Sequence, residues 1–149
     1  VYKRQIIDFE SDHAKEILGG SVNDEKIRPP IEVSQFVEPM VVKNMAFTGV
    51  LNGKIIACGG IYPIWDGVGE AWFLGTDMVN EKPISVTRTV KNYLDILMSD
   101  NNLHRVQAHI RHDWERANRW IAFLGMQKEG VVRKFSPDGR DHILFSKVI

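Results

Sequence analysis

The chain has 149 residues, enough for one domain with a single sizeable core, so residues 1–149 are expected to form one domain. Lys plus Arg and Asp plus Glu number 19 each, which leaves no net field to draw the molecule to nucleic acid or anionic lipid. One cysteine, Cys58, rules out an internal disulfide framework and a multi-cysteine zinc site, and its apolar setting IIACGGI predicts a buried structural thiol.

In chain order, YKRQII alternates polar and apolar residues and predicts a short strand; Asp8 or Ser11 then caps a helix to about Leu18, stopped by Gly19 and Gly20. Residues 21–39 are polar and broken by Pro29, Pro30 and Pro39, which predicts a loop with at most a short helix over 31–37. Residues 46–51 and 54–64 are β-rich and flank Asn52-Gly53, a pair that accepts the positive φ of a hairpin turn. A turn over 66–69 leads to a third strand, 70–79.

The apolar spacing of Val86, Val90, Tyr93, Leu94 and Leu97 predicts an amphipathic helix over 84–98. Residues 105–110, RVQAHI, form a further strand, and Asp113 is the expected N-cap of a helix whose apolar face holds Trp114, Ala117, Trp120, Ile121 and Leu124. A final hairpin, 127–135 and 140–148, turns at Pro137-Asp138-Gly139. Trp72, Trp114 and Trp120 are expected in the core and Trp65 at an exposed turn. No run reaches the apolar length of a membrane span, and the start VYKRQIIDF has no signal-peptide apolar region, so the expected setting is a reducing cytoplasm.

The stretch from Arg105 to Ile149, a strand, then a helix ending in Leu124-Gly125-Met126, then a hairpin, resembles the C-terminal half of the GNAT acyltransferases. The full element order resembles that family over essentially the whole chain. The resemblance implies an α+β fold with a mixed, mostly antiparallel sheet, helices on both faces, and central strands that splay apart to admit acetyl-CoA. Gly59-Gly60, Gly69-Glu70-Ala71-Trp72-Phe73 and Thr76-Asp77 further resemble the internal core proteins of short-tailed, coliphage-like viruses.

The implied reaction is direct transfer of acetyl from acetyl-CoA to an amine on a small molecule or protein, which needs a proton acceptor, oxyanion stabilisation and an acid for the thiolate. The resemblance makes Glu70 the candidate base, with His112 and its neighbour His109 as proton carriers near neutral pH. A solvated carboxylate at a strand start is the competing account of Glu70. The two histidines lack a third ligand for a metal. Backbone amides around Met78 and Val79 are implied to hold the pantetheine, with Lys82, Ser85, Thr87 and Arg88 adding charge and hydroxyls for the pyrophosphate at a helix start.

Two departures stand out. The family's glycine-bearing phosphate loop is replaced by NEKPISVTRTV, with Ile84, Thr87 and Thr89 at the three signature positions, and Ile121 stands where many members carry the tyrosine acid. These departures support an alternative: a catalytically silent GNAT-fold phage component with virion or host-protein partners. For either function the family also suggests a homodimer.

Overall fold

The computed structural model describes residues 4–20, 45–76, 79 and 82–149. The described elements are β1 (Arg4–Asp8), α1 (Ser11–Gly20), β2 (Ala46–Leu51), β3 (Lys54–Trp65), β4 (Val68–Gly75), α2 (Pro83–Asp100), β5 (Arg105–Arg111), α3 (Glu115–Phe123), β6 (Gln127–Val132) and β7 (His142–Val148). The strands form one seven-stranded sheet in the order β1-β2-β3-β4-β5-β7-β6. The arrangement is α+β, and the chain divides into two compact units, Val1–Tyr62 with Trp72–Pro83, and Pro63–Ala71 with Ile84–Ile149.

In the first unit β1, β2 and β3 pair antiparallel. Asn52 and Gly53 both take positive φ, 51° and 79°, the geometry that a tight hairpin needs to match strand twist. Phe9, Ala14, Ile17, Ala46, Cys58, Trp72 and Leu74 make the core, with Ile55 and Tyr62 against it. Phe9 meets Trp72 edge-on at 5.0 Å. Burial pushes the Cys58 thiol up to about 12, as expected of a structural cysteine. Gly60 lies so close to β2 that an added Cβ would stand 2.3 Å from the Met45 carbonyl oxygen. Helix α1 runs through Gly19 and Gly20, where the sequence predicted a stop. Strand β4 ends at Gly75 rather than Val79, because the Thr76 N–H and hydroxyl both turn to the Ile56 carbonyl.

In the second unit β4 and β5 pair parallel, and β7 pairs antiparallel with both β5 and β6. Val106 and Ala108 of β5 and Phe145 of β7 are buried along with Leu94, Leu97 and Met98 of α2 and Ile121 of α3. The alternation of RVQAHIR thus sends its small apolar residues to one face and Arg105, Gln107, His109 and Arg111 to the other. Helix α3 ends through Gly125, whose φ of 88° lets the chain reverse into β6. Asp113 does not cap this helix. Its carboxylate is held by Arg111 at 3.1 Å and Arg140 at 2.9 Å, and Trp114 occupies the cap position without a side-chain bond. Trp114 and Trp120 are half-buried rather than core, whereas Trp72 is buried and Trp65 is 69% exposed, as expected. No helix among the described residues is long and apolar enough to cross a membrane.

Candidate active site

The polar face of the second unit begins with Glu70. Parallel pairing places it opposite Gln107, hence on the same face as His109 two residues further on. Val68, Gly69 and Glu70 of β4 lie opposite Arg105, Val106 and Gln107 of β5.

Glu70 is only 8% exposed, which removes the account of it as a solvated carboxylate. Its Oε1 lies 2.5 Å from Nδ1 of His109. A buried carboxylate must be hydrogen-bonded to be tolerated, and the imidazole supplies that bond. With the carboxylate ionised, it can only accept, so Nδ1 carries the proton and donates.

The His109 ring lies nearly parallel to Phe135, with centroids 4.3 Å apart and planes 9° apart. Phe135 in turn meets His142 at 5.0 Å. Both ring nitrogens of His142 are buried without a partner among the described residues. Burial is the main cause that holds His142 below its ordinary 6.5, followed by the neighbouring His109, with Arg111 and His112 acting the same way and Asp138 opposing them. Further along this face Arg105 grips Glu129 with two hydrogen bonds of 2.7 and 3.0 Å. That grip, joined by the Ser146 hydroxyl, lowers the Glu129 carboxyl below its usual range.

Among the expected site residues, the structure brings Glu70 together with His109 and not with His112. His112 is exposed, and its Nδ1 donates to the Asp141 carbonyl at 3.0 Å. Met78 lies outside the described residues. The Val79 N–H is committed to the Thr76 carbonyl at 3.1 Å, so only its carbonyl is left for a ligand. Lys82 precedes α2, Ser85 sits in its first turn, and Arg88 is exposed one turn later. The Thr87 hydroxyl accepts the Trp120 indole N–H at 2.9 Å. Pro83 opens the helix in place of a glycine, where a missing N–H costs nothing. Ile121, at the position of the family's tyrosine, is 4% exposed and belongs to the core. Sequence reasoning missed Phe135 and His142, which reach the site only through the folded β6–β7 hairpin.

No protein-family model and no curated protein matches the sequence. Solved structures do match, over nearly the whole chain. A ribosomal-protein-S5-alanine acetyltransferase from Vibrio fischeri is 22% identical, with a TM-score of 0.73 over 97% of this chain and 92% of that one. The ribosomal-protein-S18-alanine N-acetyltransferase from Escherichia coli is 16% identical, with a TM-score of 0.76 over 99% and 94%. The chain has the GNAT fold. The microcin C7 self-immunity acetyltransferase MccE, solved with acetyl-CoA and AMP, is 18% identical, with a TM-score of 0.76 over 99% and 93%. At these identities the likeness establishes the GNAT fold, and the chemistry must be argued from the residues.

Proposed function

We propose that this GNAT-fold protein is an N-acetyltransferase that passes acetyl directly from acetyl-CoA to an amine on a small molecule or protein. The observation that carries the reading is Glu70, a buried carboxylate tied to the His109 imidazole on one face of the paired strands β4 and β5. Burying a carboxylate costs stability, and the pairing with an imidazole that can carry a proton supports a use in proton transfer.

The residues fit acetyl-CoA as co-substrate. The start of α2 offers the positive end of the helix dipole to a pyrophosphate, with Lys82 just before it in sequence, Ser85 in its first turn and Arg88 one turn on. Thr87, whose hydroxyl accepts the Trp120 indole N–H, completes that set through its own O–H. Bound acetyl-CoA would supply the activated thioester. The chain's own part is to orient it, to accept the amine's proton near Glu70, and to hold that proton away from the amine while transfer completes. A reducing, cytoplasmic setting suits the reaction.

The test is transfer itself: purified protein, acetyl-CoA and a panel of primary amines and amino-terminal peptides, followed by free-thiol release and the mass of the acetylated product. Transfer is expected, with Glu70→Gln slower by about 10-fold or more.

A second reading is favoured by buried Ile121 and by the glycine-free start of α2. In it the GNAT fold is kept without catalysis, as a phage structural or host-interaction component. Gly59-Gly60 does not discriminate between the two readings, since the close approach of Met45 and Trp72 backbone atoms explains both glycines. The absence of transfer to every amine, together with no binding of acetyl-CoA, is the outcome that reading requires.

A further inference from the structure

We infer that His109, rather than Glu70, takes the proton from the attacking amine, with Glu70 as its positioning residue and Phe135 as the wall that fixes the ring. This assignment rests on the acetyl-transfer reading above.

The hydrogen bond decides the direction of labour. Glu70 Oε1 sits 2.5 Å from His109 Nδ1, and the two side chains are 11% and 16% exposed. Because an ionised carboxylate only accepts, Nδ1 bears the hydrogen, and the lone pair of the neutral ring is on Nε2. Nε2 makes no hydrogen bond among the described residues. Phe135 lies flat against the ring at 4.3 Å and is itself anchored by its N–H to the Arg140 carbonyl at 3.0 Å, so the imidazole plane is held from the side as well as from Nδ1. An oriented imidazole backed by a buried carboxylate is the arrangement in which a carboxylate sets the tautomer and the ring moves the proton.

The charged and titratable groups around the pair fit that division. Arg105 on β5 feels the charge of Glu70, but its guanidinium is held chiefly by Glu129. Arg111 on β5 and His142 on β7 lie on the same face, and burial keeps His142 neutral so that it does not compete for the proton. In the step, Nε2 takes the proton that the amine nitrogen gives up as its C–N bond to the acetyl carbon forms. The C–S bond breaks with its electron pair staying on sulfur, and the imidazolium returns the proton through water to that thiolate. The products are the amide and the free thiol, and no further reactant is needed.

The experiment compares wild type, His109→Gln and Glu70→Gln in kcat/KM for amine acetylation across pH, and reads the His109 tautomer in the wild type by imidazole nitrogen NMR. The expected results are an Nδ1–H tautomer, a loss of about 100-fold or more in His109→Gln with a flattened pH profile, and a loss of about 10- to 100-fold in Glu70→Gln with a displaced profile. If the wild type acetylates an amine but His109→Gln keeps its rate and profile, or the ring is the Nε2–H tautomer, the assignment is wrong while the acetyl-transfer reading stands. A wild type that acetylates no amine removes that reading and the role of His109 with it. Should His109→Gln fail to fold, the wild-type tautomer and the Glu70→Gln profile decide.

Discussion

Two buried ionisable groups on one sheet face are treated in opposite ways. Glu70 is given a partner in His109, whereas both nitrogens of His142 are enclosed with none among the described residues. The consequence for His142 has a definite sign. Its folded value lies below the ordinary 6.5, so its unfolded form binds a proton more readily. Stability from this residue is complete above about 6.5 and is lost as pH falls through that value towards the lowered one. Urea unfolding at pH 7.5 and pH 5 is therefore expected to show a wild type weakened by acid, and His142→Phe should show a smaller acid loss. An equal acid loss in the two proteins would show that His142 is not the group responsible.

At the scale of elements, the hairpin β2–β3 depends on close backbone approach. An added methyl at Gly60 would meet the Met45 carbonyl oxygen at 2.3 Å and the Ala46 Cα at 2.7 Å, both of them backbone atoms that cannot swing away. Gly60→Ala is expected to cost about 1–3 kcal/mol, read as a lower urea midpoint with an unchanged slope. A midpoint equal to wild type would mean that β2 yields more easily than this packing implies. Elements with a clear period were legible in the sequence: the Asn52-Gly53 hairpin, the amphipathic helix α2 and the alternating strand β5 all form where their residues predict. Ends were less legible where a distant group intervenes. Strand β4 stops at Gly75 because Thr76 bonds to Ile56, and Asp113 abandons its capping role for two arginines, one of them 27 residues away. Ile56 and Arg140 are 20 and 27 residues from the groups they hold, so no window of sequence could reveal either bond.

For the whole molecule, element order alone carried the fold, since a strand–helix–strand order closing in a hairpin leaves few ways to bury the apolar faces. The site was legible only in part. Glu70 was named as a candidate, but its partner became evident only through the parallel register that sets it beside Gln107 and hence near His109. The Thr87–Trp120 bond, between residues 33 apart, was likewise out of reach of the sequence. The proposed acetyl transfer requires acetyl-CoA to bind with its pyrophosphate at the start of α2. The most direct test is isothermal titration of acetyl-CoA into wild type and into Ser85→Glu, whose new charge would face the pyrophosphate while leaving the Thr87–Trp120 bond intact. Micromolar binding to wild type is expected, weaker by about 10-fold or more in the variant, a difference of about 1.4 kcal/mol. No heat with wild type, or equal affinity for the two proteins, would contradict the proposal.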